Sequence, residues 1–401
     1  VGRRVKPSIV VLGGLFLVGL QSACFAEVWS LTTADFQTAQ VQLHGMDDHG
    51  AAITNVSTQD SATVPWGQFL ELSRSVTSAP SAGDFVLQLR NGDRLAGQPV
   101  SMTNDSVVWR EATVGNLNVL LSSAIGFHRA SVSDAAGAAS TDDVAYLVNG
   151  DAVHGVLSDV NGNTISIQPA AGGDATAVPL TNVSSVVFAA INSATAPTPS
   201  GKPAFRIHLA DHSVLTADSV HADESMVHLA FAAAPARDLP TADVQSIEQI
   251  NGPVQWLSTL ALSENIHTPY LQAAYPARFD RDALGGPISF ADRSYTHGIG
   301  VHAYSKLTWV IPPEDHHFRT QYAVAGDLPY ADLAVRISVD GQQVHWRSSF
   351  RAGELSPVID LDLAGKHTLT LEVLDNQNAG VQARLNWIEP AFIRMPAATA
   401  P

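Results

Sequence analysis

The 401-residue chain has a single cysteine, Cys24, so no disulfide can form within it. Basic residues are also scarce. Lys and Arg number 22 against 38 Asp and Glu, for a formal net charge of −16. Phosphate backbones are held by clustered Lys and Arg, so nucleic acid is excluded as a partner. No Gly-x-Ser-x-Gly, P-loop or zinc signature occurs, which removes the best-marked catalytic classes. Long amphipathic helical patterns are missing too. What remains is a chain with 45% hydrophobic residues, rich in strand formers and Gly/Asn/Asp turns, and long enough for several cores. It reads as all-β.

The first 26 residues follow a targeting plan. Arg3, Arg4 and Lys6 form a basic start, Ile9–Leu12 and Leu15–Val18 an apolar centre, and Ser22-Ala23-Cys24-Phe25-Ala26 a small-residue end. This predicts a secretory signal over 1–26, cleaved after Ala26, and an exported protein that is periplasmic, cell-surface or extracellular. An alternative makes Cys24 the lipid-modified first residue, and so a lipid anchor.

The middle repeats itself. Phe85-Val86-Leu87-Gln88-Leu89-Arg90-Asn91-Gly92-Asp93 has a counterpart in Val144-Ala145-Tyr146-Leu147-Val148-Asn149-Gly150-Asp151, and Gly97 in Gly155. A degenerate copy starts at Phe205, and a further one spans Val28 to Leu70. Asn-Gly between apolar runs signals a hairpin with both turn residues at positive φ. The expected division is four β units, over 27–80, 81–133, 141–191 and 203–250, each a small barrel or bent sheet. Residues 192–201 are a low-complexity linker.

Residues 251–395 hold a different pattern. Tyr295-Thr296-His297-Gly298-Ile299-Gly300-Val301-His302-Ala303 places two glycines in an alternating run. That run reads as one central strand continuing to Ile311, with the glycines marking a bulge or a close backbone approach. Further alternating runs with an Asp340-Gly341 turn predict an antiparallel sandwich. On His297–Ala303, Ser338-Val339-Asp340-Gly341 and Asn386-Trp387, this region resembles the NPCBM family of carbohydrate-binding modules. The resemblance implies a galactose-binding-like jelly-roll sandwich. Members of the family often carry aspartates just before the tryptophan, where Ala383 and Asn386 stand here.

Sugar binding uses aromatic platforms and planar polar groups. The candidates are Tyr330, Trp346, Arg347, Gln377 and Asn378, with His302 beside the glycine motif. The resemblance also implies a structural calcium, with Asp280 and Asp282 as its candidate ligands. Calcium takes six to eight oxygens, and the competing reading is a solvated turn. No other cofactor is implied. Once the signal, the four units and the sandwich are assigned, no stretch is left for a catalytic domain. The expectation is an exported non-catalytic protein that binds a glycan or polysaccharide. The alternatives are a structural or protein-interaction component of the cell envelope and, more remotely, a glycoside hydrolase-associated protein.

Overall fold

The structure is a computed structural model describing residues 27–394 except 82, 133–140, 170–171, 190–201, 232–233, 269–274 and 377–379. The signal segment, Cys24, the linker 192–201, Gln377 and Asn378 therefore lie outside the described residues. The chain is nearly all β, in antiparallel sheets, and none closes into a barrel.

Each of the four units is a bent sheet. In the second, Phe85–Leu89, Arg94–Met102, Ser106–Glu111 and Gly115–Leu120 follow in order, and Ala124–Arg129 returns beside the first strand. Of the two forms expected, the bent sheet is the one found. The fourth and fifth strands are joined by the short 3₁₀ turn Leu121–Ser123 instead of a ladder. The bend sits in the long second strand. Arg94–Gly97 pairs with the first strand, and Gln98–Met102 with the third. Gly97 marks the change. A Cβ there would lie 1.9 Å from the Arg110 carbonyl oxygen, and one on Gly155 would lie 2.2 Å from that of Gln168.

The hairpins share one geometry. Gly92 N donates to Leu89 O at 3.1 Å, and Leu89 N to Asp93 O at 2.9 Å. Gly92 has φ +91° and Gly150 φ +92°, but Asn91 and Asn149 are not at positive φ. The two-residue turn read from Asn-Gly is thus replaced by a three-residue loop whose third residue is left-handed. Asn91 Oδ1 instead accepts from Asp93 N at 3.1 Å, a local turn that Asp35, Asn149 and Asp211 repeat. In the outer units the left-handed place is held by Phe36 (φ +62°) and His212 (φ +72°).

The units do not stack in sequence order. The last strands of units two and three pair through Phe127 and Val186. Those of units one and four pair through Leu72 and Ile247. An arginine fastens each pair. Arg129 donates to the Val183 and Leu180 carbonyls at 2.8 and 2.9 Å, and Arg74 to those of Val244 and Thr241. All four units share one apolar core, containing Trp29, Trp109, Phe127, Ile165 and Ile247.

The sandwich has two sheets. One orders Arg278–Phe279, Gly298–His302, Arg384–Ile393, His317–Ala323 and Ile359–Asp362, with Val254–Trp256 also along Arg384–Ile393. The other orders Glu264–His267, Ser305–Val310, Thr368–Asp375, Asp332–Val339 and Gln342–Arg351. Here the single strand expected from Gly298 to Ile311 is corrected. Gly298–His302 and Ser305–Val310 belong to opposite sheets, and the chain crosses between them at 303–304. The apolar alternation survives because Ile299, Val301, Leu307 and Trp309 face one core from both sides.

Candidate functional site

The glycine motif shapes the loop end of the sandwich. A Cβ on Gly300 would stand 2.2 Å from the Asp282 carbonyl carbon and 2.3 Å from Ala283 N. Only glycine lets the 281–283 turn lie against this strand. Gly300 N donates to Arg281 O at 2.9 Å, which fixes the turn. Asp282 Oδ1 then accepts from Leu284 N and Gly286 N, both at 2.8 Å. The packed turn lines a cleft of about 220 Å³ together with Asp327, Leu328, Arg384 and Asn386. The Arg384 and Asn386 side chains make no hydrogen bond to a described residue. A guanidinium, an amide and carboxylates around a small cleft are planar groups suited to the paired hydroxyls of one sugar ring.

The residues expected to bind sugar are scattered around this end. Tyr330 is 63% exposed in the next loop, its backbone N–H bonded to Gln382 Oε1 at 2.9 Å. Trp346 is 44% exposed on the edge strand Gln342–Arg351, opposite Arg336. Arg347 pairs with Glu354 at 3.3 Å. His302 is buried, donating through Nδ1 to Ala303 O at 2.7 Å and stacked on Tyr275. None of these four lines the loop-end cleft. Sequence reasoning passed over Arg384 and treated Asn386 as a departure. Their pairing opposite His302 and Gly300 puts them beside the packed turn, and the period-2 alternation ending at Trp387 was the available signal.

Asp280 and Asp282 each have separate hydrogen-bonding partners. Asp282 closes its own turn. Asp280 Oδ1 accepts from Gly298 N at 3.2 Å and lies 3.5 Å from His297 Nδ1. Among the described residues no group of three His, Cys, Asp or Glu side chains is arranged to hold an ion.

A second polar site lies between the sandwich and the repeats. His297 Nε2 donates to Glu248 Oε1 at 2.9 Å, and Trp256 Nε1 donates to the same oxygen at 2.6 Å. The Trp256 ring is stacked on His297, centroids 4.5 Å apart. Both ionic side chains are buried. Burial opposes the charge on each, but each holds the other ionised. Glu248 is pulled down to about 2, and His297, with Asp280 adding to the pull, is pushed up to about 10.

Residues 254–393 match the family model described as the NPCBM/NEW2 domain. The sandwich is an NPCBM/NEW2 domain. No curated protein matches the chain. Among solved structures, the chain is similar to CBM51 from Clostridium perfringens GH95 in complex with methyl-galactose. Identity is 19%, covering 35% of this chain and 99% of that one, with TM-score 0.32. It is also similar to CBM51-2 and INT domains from C. perfringens ZmpB in complex with GlcNAc. There identity is 15%, over 44% of this chain and 37% of that one, with TM-score 0.32. A third is the tandem CBM51 modules of Sp3GH98, the family 98 glycoside hydrolase from Streptococcus pneumoniae. It is 11% identical over 91% of this chain and 88% of that one, with TM-score 0.32.

Proposed function

We propose that the chain is an exported, non-catalytic protein whose NPCBM/NEW2 domain binds a terminal sugar in the loop-end cleft. The observation that carries this reading is the family match across the whole sandwich, 254–393. The cleft supports it, because Arg384 and Asn386 are uncommitted and line, with Asp327, a space sized for one ring. Exposed Tyr330 stands on the adjoining loop, where a longer glycan would continue past the cleft. Export is supported by the basic, apolar and small-residue succession of residues 1–26. A non-catalytic role is supported by the four repeat units and the sandwich, which take up the described strands. Glycan-array binding by the full chain tests the reading. Binding to a defined terminal sugar is expected, and no binding across the array would overturn it.

A further inference from the structure

The pairing of unit one with unit four differs from its sister pairing in one respect that folding does not require. Arg74 and Arg129 make equivalent clamps, so the residue three places before each is equivalent. In the inner pair these positions hold Gly126 opposite Val187. In the outer pair they hold Glu71 opposite Glu248. Like charges facing across a ladder are unfavourable, and the inner pair shows that the ladder forms without them.

Glu248 is satisfied by His297 and Trp256. The Glu71 carboxyl accepts no hydrogen bond from a described residue. It lines a cavity of about 420 Å³ bounded by units one and four and the NPCBM/NEW2 domain. Glu389, Arg293, Arg319, His208 and Trp256 also line it. It opens to solvent at Arg293, whose side chain is 70% exposed. The volume falls in the range of roughly 300–1,000 Å³ typical of small-ligand sites.

We propose that this cavity is a second saccharide site, taking a neutral mono- or disaccharide whose hydroxyls bridge Glu71 and Arg319. This inference goes beyond the loop-end reading and does not depend on it. The charges fix the ligand class. Glu248 is paired with His297, and Glu389 lies 3.9 Å from Arg293. Arg74 is paired with Glu27, which leaves one carboxyl, Glu71, and one guanidinium, Arg319, without an ionic partner. An anionic ligand would face Glu71, Glu248 and Glu389. A cationic one would face Arg293, Arg319 and His297. Burial and Glu248 push the Glu71 carboxyl up to about 7, so its protonated form, which both donates to and accepts from a hydroxyl, is populated near neutral pH. Burial lowers His208 to about 4, leaving a neutral imidazole with the same double capacity. Arg319 lies over the Phe36 ring at 4.5 Å, which fixes its guanidinium plane.

The test is isothermal titration of the full chain with methyl galactoside, N-acetylglucosamine, lactose and chitobiose, each run on wild type, Glu71→Leu, Glu71→Gln and Arg384→Ala. A sugar bound at the seam should lose about tenfold or more in affinity in Glu71→Leu, the loss of a hydrogen-bonded carboxyl. It should stay within a few-fold in Glu71→Gln and be unchanged in Arg384→Ala. In wild type, the same sugar should shift the His208 ring-proton resonances, a readout that needs no variant to fold. Binding abolished by Arg384→Ala but untouched by Glu71→Leu, with no His208 shift, overturns the seam site and leaves the loop-end reading standing. The opposite pattern overturns the loop-end reading alone. Displacement of His208 shifts by calcium, with none from any sugar, also overturns the proposal.

Discussion

Glu71 and Glu248 stand directly opposite each other in the antiparallel ladder that joins the first repeat to the fourth. The two carboxyls are held in opposite states: Glu248 is ionised by His297, while Glu71, beside it and half-buried, resists ionisation. This one relationship ties the repeats, the seam and the NPCBM/NEW2 domain together.

It gives the seam a pH dependence whose sign follows from linkage. Glu71 is raised from 4.5 to about 7, so its contribution is complete below pH 4.5 and is lost as pH rises through 7. The size is about 3 kcal/mol. Buried Glu111, bonded to Ser213 beside Asp211, is raised to about 8 by burial and by Asp211, and acts in the same direction. Thermal melts should fall between pH 5 and 8, and Glu71→Gln should flatten part of that slope. A parallel slope in the variant would refute the assignment.

The His297–Glu248 pair behaves differently. Glu248 contributes stability above pH 4.5 that is lost as pH falls through 2, and His297 contributes below 6.5 and loses it through about 10. Removing one partner leaves a buried charge. His297→Ala should therefore cost about 3–5 kcal/mol in urea unfolding, and His297→Ala with Glu248→Gln should recover part of it. A single variant that unfolds like wild type would show the pair is not buried as described.

The two non-glycine residues at the left-handed hairpin position should respond with opposite sign. His212→Gly removes backbone strain and should be neutral or stabilising by up to about 1 kcal/mol. Phe36→Gly removes the same strain but also the edge contact with Trp256 at 6.0 Å and the seat of Arg319, and should destabilise. Calorimetry on both variants decides; a shared sign would contradict the role given to Phe36.

Much of this was legible in the sequence. Asn91-Gly92 and Asn149-Gly150 announced the repeat, and the alternation around Ile299 and Val301 announced a sandwich, whose core holds Trp309 and Trp387. The partnership of units one and four was not legible, because Leu72 and Ile247 look like any other apolar strand residues. Nor was the seam. Glu71, Glu248, His297 and Glu389 lie far apart along the chain, and each alone reads as an ordinary surface group. The need for aromatic platforms drew attention to Trp346, whereas the loop-end cleft is built from Arg384 and Asn386 beside a turn that only Gly300 admits.

Gly300 also links fold to site. Gly300→Val must displace the 281–283 turn and should cost about 1–3 kcal/mol. Because Asp282 belongs to that turn, sugar affinity should fall with stability. Melting paired with a binding titration checks both, and a variant that melts like the parent would mean the turn does not pack against this strand.

The most direct test of the central claim is the affinity of the full chain for the terminal sugar found by glycan array, compared with Arg384→Ala and Asn386→Ala. On the proposed reading each side chain hydrogen-bonds the sugar's hydroxyls, so each variant should bind about tenfold or more weakly while melting like wild type. Unchanged affinity in both folded variants would contradict the assignment of the cleft as the sugar site.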